Sequence, residues 1–260
     1  MSKSALRVLE ILEFIGGHSN GCNHTTIAQG LGIPKSSLTV LLQDLQSKGY
    51  LQRHPDTGFF TIGLQVLWLA NSYLRNLNLV KLGQPIVAEL FMQVNQFATL
   101  AIPSGNEYVI VCTESTPSVF GHTLYPGSRG LLRSSALGKA ILAWSPRAYI
   151  DEAAAAPAEV GRSVKGKAGA LAAELQTVRE SGIARSFGEA IAGVDGFAAP
   201  VFNAVNHPVA ALGVGVPTAQ LKAKLIARIE TALTVAAHKL SMQLGWQGGP
   251  LSSGMAGQAK

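Results

Sequence analysis

The first 63 residues change their apolar spacing several times, and this succession constrains the fold more than any other feature of the chain. In residues 4–15 the apolar side chains recur every three or four positions, which is the spacing of one helical face. Residues 25–31 predict a second, short helix that is entered through a threonine and closed by Gly32, because glycine adopts the left-handed conformation of helix ends. Pro34 then opens a third helix, whose leucine seam runs to Gly49.

A β-hairpin and a further helix follow. Two extended runs, Leu51-Gln52-Arg53 and Phe59-Phe60-Thr61-Ile62, flank the tight-turn sequence Pro55-Asp56-Thr57-Gly58. Three helices followed by a hairpin is the order of a winged helix-turn-helix. Residues 64–77 return to helical spacing and predict a connecting helix.

The rest of the chain mixes strands and helices, so we expect an α+β protein with an antiparallel-rich second domain. The expected strands are 98–103, 108–114, 197–202 and 209–216, with a further candidate at 119–124. The expected helices are 86–94, 134–144, 168–181 and 219–244. The predicted division is a winged helix-turn-helix at 1–63, a linker helix at 64–79, a mixed α+β, GAF-like domain at 80–246 and a disordered tail at 247–260.

The composition excludes some classes of protein. Hydrophobic residues make up 47% of the chain and charged residues 14%, which is typical of a folded chain and not of a disordered one. The net charge of +6 is spread along the chain and is weak support for a polyanionic partner. Gly196–Leu221 carries no charged residue, but its prolines favour two buried strands over a membrane helix.

No residue pattern indicates catalysis or metal binding. Cys22 and Cys112 have no metal-ligand spacing, so we expect reduced thiols in a cytoplasmic protein, without a disulfide or a zinc site. The chain has no GxSxG, HExxH or P-loop motif. We therefore predict that the protein is not an enzyme and uses no cofactor.

The exposed face of the third helix is the expected reading surface for DNA. Short hydroxyl side chains near a helix start suit phosphates and base edges, because the free backbone amides there attract anions. The candidate DNA-binding residues lie on this face, at the start of the preceding helix and on the hairpin: Thr25, Thr26, Lys35, Ser36, Ser37, Thr39, Val40, Gln43, Arg53 and His54. The alternative interpretation is a winged helix that binds another protein.

Short motifs in order along nearly the whole chain resemble one family. They are Ala5–Leu12, Ile27-Ala28, Leu31–Ser37, Gly49-Tyr50-Leu51, Pro55–Gly58, Ile62-Gly63, Ser135–Ala140 and Ala198–Val201. From about Ser4 to Leu244 the sequence resembles the IclR family of bacterial regulators. The resemblance implies a winged helix that binds pseudo-palindromic operators, a linker helix that dimerises, a C-terminal ligand-sensing domain, and assembly as homodimers or homotetramers.

Val40 departs from the family pattern, because many members carry an arginine at this position of the recognition helix. A valine cannot donate to guanine, but it can pack on the methyl group of thymine. We therefore expect sequence reading to depend on Ser36, Ser37 and Thr39, with less contact to guanine than is usual.

The segment from Gly127 to Ala140 is the expected ligand site. A loop leads into a helix there, so the free amides of Ala136 and Leu137 could hold a carboxylate. The resemblance implies a small organic or aromatic acid as ligand and places nine residues around the pocket: His122, Gly130, Ala136, Leu137, Ser186, Val194, Gly196, Gly213 and Gly215. Arg133 is a further candidate partner for an acid group, with a surface or interface arginine as the alternative.

Three positions depart from acid-binding members of the family, which carry an aspartate in place of Ser186 and serines in place of Gly213 and Gly215. Each lost hydrogen bond is worth about 1 kcal/mol. The smaller side chains predict a larger cavity, and we expect an aromatic or otherwise bulkier effector rather than a small keto-acid.

Together these patterns predict a ligand-responsive, DNA-binding transcriptional regulator. Its expected partners are double-stranded operator DNA, an organic acid and further copies of itself, with no membrane. The alternative is a winged-helix protein-interaction or redox-sensing module, with Cys112 as the redox group and no small-molecule effector.

Overall fold

A computed structural model describes residues 3–76, 78–115, 124–156 and 168–248. The chain divides into two compact units, Met1–Leu77 and Asn78–Lys260. No helix in the described part of the chain is long and apolar enough to cross a membrane.

The first unit contains four helices and a two-stranded sheet. Its elements are α1 (Lys3–Gly16), α2 (His24–Leu31), α3 (Lys35–Ser47), β1 (Leu51–Arg53), β2 (Phe60–Ile62) and α4 (Leu64–Asn76). The leucine seam of α3 points inward, as its spacing predicts. In α1 only part of the apolar spacing is buried, because Ile11 and Ile15 lie in the core while Leu9 is 56% exposed. The buried side chains of the first three helices form one core with the sheet, which includes Ile11, Ile15, Ile27, Leu38, Leu42, Leu51 and Phe60.

Helix α2 begins one residue earlier than the sequence predicts, and its cap is Asn23 rather than a threonine. The Asn23 side chain accepts a hydrogen bond from the amide of Thr26 at 2.8 Å. This satisfies one of the amide groups that every helix start leaves free. At the other end Gly32 adopts the left-handed conformation, with φ of 60°. Helix α2 is therefore closed by glycine, as expected, and α3 begins at Lys35 after Ile33 and Pro34.

Strands β1 and β2 form the predicted hairpin. They pair antiparallel, with Leu51 opposite Ile62 and Arg53 opposite Phe60. Cys22 adds a third chain segment to this sheet, because its amide and carbonyl both bond to Phe60, at 3.0 and 2.8 Å. The hairpin is thus anchored to the loop between α1 and α2 and has a fixed position beside the helices.

The second unit is built on a six-stranded antiparallel sheet in the order β5-β4-β3-β8-β7-β6. Its strands are β3 (Phe97–Ser104), β4 (Glu107–Glu114), β5 (Arg129–Leu131), β6 (Ala184–Phe187), β7 (Val194–Phe202) and β8 (Pro208–Pro217). Its helices are α5 (Asn78–Val94), α6 (Ala136–Leu142), α7 (Arg147–Ala155), α8 (Ala168–Ser181) and α9 (Ala223–Gln243), with 3₁₀ turns at Leu132–Ser134 and Thr218–Gln220.

Alternate residues of the central strands separate two apolar cores. Leu100, Phe197 and Leu212 belong to the core that includes side chains of α5 and α9. Their strand neighbours Ala101, Ala198 and Ala211 belong to the core with α6, α7 and α8. Successive strand residues face opposite sides of a sheet, so the small alanines lie together on the α6 side. This lets α6 approach the sheet closely.

Several predicted element bounds were wrong. Helix α5 begins at Asn78, eight residues before the predicted start, and α6 is shorter than the expected helix 134–144. The sequence did not predict β5, β6 or α7, which are short and carry little periodicity. The expected strand 119–124 lies, except for its last residue, outside the described residues, and so does the expected tail beyond Gly248.

Candidate nucleic-acid interface and ligand cavity

Helix α3 separates an apolar from a polar face. Leu38, Leu42 and Leu45 are buried against the core of the first unit. On the opposite side lie the predicted reading residues, of which Ser37 is half-buried and the others are exposed: Lys35, Ser36, Thr39, Val40 and Gln43. Val40 is 57% exposed, which is unusual for a large apolar side chain and leaves it free to contact a partner.

The hydroxyl group of Thr39 is already engaged. Its Oγ1 donates to the carbonyl of Lys35 at 2.9 Å, and Nε2 of His24 lies 3.0 Å from Oγ1. A hydroxyl has a single hydrogen, so His24 must be the donor in the second contact. Thr39 therefore retains one acceptor lone pair and its methyl group, and it cannot donate to a base without losing its bond to Lys35.

His24 is a residue that the sequence analysis missed. It is the half-buried first residue of α2, fifteen positions before Thr39. No spacing rule connects the two positions, because they meet only once the turn between α2 and α3 has formed.

Two of the predicted DNA-binding threonines differ in their surroundings. Thr26 belongs to the cap of α2, since its hydroxyl donates to the Asn23 side chain at 3.0 Å. Thr25 is exposed beside it. Thr25 is thus available for contact, while the Thr26 hydroxyl hydrogen is committed to the helix start.

The hairpin carries the other two predicted residues, both exposed. Nε of Arg53 donates to the carbonyl of Gly58 at 3.3 Å, and its guanidinium carbon lies 5.6 Å from the centre of the Phe60 ring. Nδ1 of His54 accepts from the amide of Thr57 at 3.4 Å. These contacts hold both side chains at the base of the hairpin turn.

A small cavity lies between α6 and the sheet of the second unit. Its volume is about 70 Å³. Seven of the predicted pocket residues line it, namely Ala136, Leu137, Ser186, Val194, Gly196, Gly213 and Gly215. The others lining it were not predicted: Phe97, Thr99, Tyr108, Leu124, Ser135, Ala190, Ile191, Phe197 and Val214. We call this space the inner cavity.

A larger cavity of about 450 Å³ adjoins the inner one. The two share the lining residues Tyr108, Leu124, Ala190 and Ile191. This outer cavity is also lined by Gly130, which the sequence analysis had assigned to the same pocket as Ala136. A volume of this size lies within the usual range of ligand sites, whereas the inner cavity alone is smaller than that range.

The predicted pocket residues Gly213 and Ser186 have different surroundings from those expected. Leu137 fills the space in front of Gly213, because a Cβ at position 213 would lie 2.6 Å from its Cδ2 atom. The missing side chain there brings α6 closer to the sheet and does not enlarge the inner cavity, contrary to our expectation. The Ser186 hydroxyl donates to the carbonyl of Ser134 at 3.3 Å, so its hydrogen is already used.

Arg133 contacts the end of helix α7. Its Nη1 donates to the carbonyl of Ala154 at 2.9 Å, and it lines neither the inner nor the outer cavity. The pairing of Arg133 with an acid group stays a prediction, and in this structure the arginine holds the end of α7. His122, the remaining predicted pocket residue, lies outside the described residues.

The start of α6 is capped by Ser135. Its hydroxyl donates to the carbonyl of Leu131 at 3.1 Å and accepts from the amide of Gly138 at 3.0 Å. The amides of Ala136 and Leu137, which the sequence analysis assigned to a carboxylate, belong to the same first turn. The polar groups at this end of the inner cavity are thus backbone groups and hydroxyls rather than charged side chains.

Cys112 is buried on β4 beneath α5, and its Sγ lies 3.9 Å from the carbonyl of Val80. Burial, and secondarily the Glu114 carboxylate, raise the pKa of its thiol to about 11. Only the thiolate is an effective nucleophile. The described residues contain no group of three His, Cys, Asp or Glu side chains that could hold a metal ion.

Comparison with known proteins identifies both units. Residues 4–55 match the model described as the IclR helix-turn-helix domain. Residues 71–242 match the model described as the C-terminal domain of the bacterial transcriptional regulator IclR. The HTH-type transcriptional regulator KdgR of Escherichia coli is 26% identical over 252 residues, which cover 95% of this chain and 94% of that relative.

Solved structures share the fold. An IclR transcriptional regulator from Alicyclobacillus acidocaldarius is 20% identical, with a TM-score of 0.81 over 94% of this chain and 100% of its own. An IclR homolog from Microbacterium hydrocarbonoxydans, solved in complex with 4-hydroxybenzoate, is 20% identical, with a TM-score of 0.78 over 92% of this chain and 100% of its own.

The raised pKa of Cys112 allows a test of the alternative in which Cys112 is a redox-sensing thiol. At pH 8 a thiol whose pKa is near 11 is ionised in about one molecule in a thousand, so alkylation should be roughly a hundredfold slower than in the unfolded chain. Mass spectrometry of the Cys112 peptide after timed exposure to iodoacetamide, with and without urea, measures the ratio. Equal rates in the two conditions would support a reactive, redox-sensing thiol.

Proposed function

Because this chain belongs to the IclR family of bacterial transcriptional regulators, we propose that it binds a pseudo-palindromic operator as a homodimer or a dimer of dimers. We further propose that an organic acid in the second unit controls this binding. The observation that carries the proposal is the polar, exposed face of α3 beside an anchored hairpin, within the segment that matches the family's helix-turn-helix. The family consists of regulators and not of enzymes.

The proposed division of labour on DNA follows from the contacts of each residue. Ser36, Ser37 and Gln43 supply hydrogen-bonding groups for base edges, and Val40 supplies an apolar contact for a thymine methyl. Cationic and polar groups at the rim of the surface position the backbone phosphates: Thr25, Lys35, Arg53 and His54. Thr26 holds the start of α2 instead, because its amide and its hydroxyl both donate to Asn23. Thr39, whose hydrogen is committed to Lys35, contributes its methyl group and one acceptor. Such a role places the protein in the cytoplasm, where bacterial DNA lies.

The proposed dimer uses helix α4. Leu64, Leu67 and Trp68 are 72%, 57% and 58% exposed and recur at the spacing of one helical face. On α1 of the same unit, Leu9 is 56% exposed. Exposed apolar side chains grouped in this way mark protein contacts, and a second copy of the chain is the partner that a palindromic operator requires.

The proposed effector is an aromatic or otherwise bulkier organic acid. The inner cavity has an apolar wall, to which Phe97, Tyr108, Leu137 and Val194 contribute, against which a ring can pack. The adjoining outer cavity gives the space that a ring with substituents needs. The complex of the Microbacterium hydrocarbonoxydans homolog with 4-hydroxybenzoate supports this class of ligand. The carboxylate is proposed to lie near the amides of Ala136 and Leu137.

Removing one cationic group from the DNA surface should reduce the salt dependence of binding. Each phosphate contact adds about one unit to the slope of log affinity against log salt concentration, so Lys35→Ala should lower the slope by about one. Lys224→Ala, an exposed lysine of the second unit, is the matched control and should leave the slope unchanged. Fluorescence anisotropy with a labelled operator, measured between about 50 and 200 mM salt, gives both values. A wild-type affinity that is independent of salt would contradict DNA binding by this surface.

Ligand size should separate the possible effectors. We expect 4-hydroxybenzoate to bind at least about tenfold more tightly than pyruvate or glyoxylate, because burial of the ring adds apolar area. Isothermal titration of the full chain measures the three affinities. Tighter binding of either keto-acid would overturn the proposed effector class without affecting the proposed DNA binding.

A further inference from the structure

Lys139 is a buried lysine that lies in neither cavity. It belongs to α6, and its side chain is 2% exposed. Its Nζ donates to both carboxylate oxygens of Glu189, at 2.9 and 2.7 Å, and lies 2.7 Å from Oε2 of Glu174. The carbonyl of Arg185 is 3.4 Å away. An ammonium group has three hydrogens, and these three residues supply an acceptor for each of them.

Packing alone does not explain a lysine at this position. Moving an ammonium group out of water costs free energy that only well-placed partners offset, and an apolar side chain of similar volume would fill the space without that cost. A fully paired buried charge does, however, fix the elements that carry its partners.

Glu189 connects Lys139 to the wall of the ligand site. It lies in the loop 188–193 between β6 and β7, which is bounded by Gly188 and Gly193 at φ of 64° and 77°. The two residues after it, Ala190 and Ile191, line both the inner and the outer cavity. Three residues before Lys139, Ala136 lines the inner cavity from α6. One ion pair thus connects two walls of the same site.

Glu174 provides a contrast on the same ammonium group. It lies on α8 and lines neither cavity, and its side chain is 43% exposed compared with 21% for Glu189. Its distance to Nζ equals that of the nearer Glu189 oxygen, at 2.7 Å. The two glutamates therefore differ in the element that they hold and in their position, because Glu189 itself lines the outer cavity.

We propose that Lys139 is a positioning residue for the effector, and that its ion pair with Glu189 holds Ala190 and Ile191 as the partition between the inner and outer cavities. The pair thereby sets the size of ligand that the site accepts. The structural part of this proposal depends only on the ion pair, while its consequence for ligand affinity rests on the proposed function.

Hydrogen exchange of the full chain tests the structural part. The amide of Gly188 donates to the carbonyl of Val194, and the amide of Val194 donates to the carbonyl of Ile191. Glu189→Ala should speed exchange in the peptide 188–194 roughly tenfold, because a charge-assisted bond that restrains the loop is lost. Residue 187 is left out, because its own amide donates to Glu189. Glu174→Ala, the matched control, should change the same peptide by less than about twofold. Lys139→Met should reproduce the effect of Glu189→Ala.

Titration with 4-hydroxybenzoate tests the consequence for the ligand. Glu189→Ala and Lys139→Met should each weaken its binding at least about fivefold, and Glu174→Ala should weaken it by less than about twofold. Lys139→Met separates the ion pair from direct contact with the ligand, because Glu189 lines the outer cavity and Lys139 lines neither. Equal effects of the two glutamate variants on loop exchange would overturn the proposal, whether or not Lys139→Met folds. Absence of 4-hydroxybenzoate binding to the wild-type chain would count against the proposed effector, and loop exchange would then decide the role of Lys139 by itself.

Discussion

The antiparallel pairing of β3 with β8 joins the two halves of the second unit's sheet, and the ligand site depends on it. The pairing places Phe97 opposite Gly215 and Thr99 opposite Gly213, although these residues are more than one hundred positions apart. It brings the hairpin β3–β4 beside the hairpin β7–β8, so that α6 can cover both with Leu137 packed at Gly213. A shift of one residue in this register would turn the glycines to the opposite face and remove the space that α6 requires.

The fold of the first unit could be predicted from local signals. The helical stripes, Gly32 at a left-handed helix end and the turn sequence at 55–58 each determine the backbone near them, and their order along the chain determines the winged helix-turn-helix. The capping residue was misplaced, because Thr25 and Asn23 are both good caps and only the geometry of Thr26 distinguishes them. In the second unit the long strands were predicted, whereas the short edge strands β5 and β6 were not, since three or four residues carry too little alternation.

Side-chain contacts between distant elements could not be predicted. The resemblance to a family indicated Ala136, Leu137 and Gly213 as pocket residues, and these meet at one cavity. It could not indicate that Leu137 fills the space left by Gly213, that Arg133 bonds to Ala154, or that His24 constrains Thr39. Lys139 illustrates the same limit, because its two carboxylate partners lie 35 and 50 residues further along the chain and no pattern in the sequence joins them.

In the proposed function two copies of one winged helix read an inverted repeat. Selection of bound duplexes from a random DNA library by the full-length wild-type protein tests this. The enriched sequences should contain two inverted half-sites whose centres are about one helical turn, or a multiple of it, apart. Ser37→Ala should relax the preference within each half-site. Enrichment of a single unrepeated site, or of no sequence at all, would contradict reading by two copies of the winged helix.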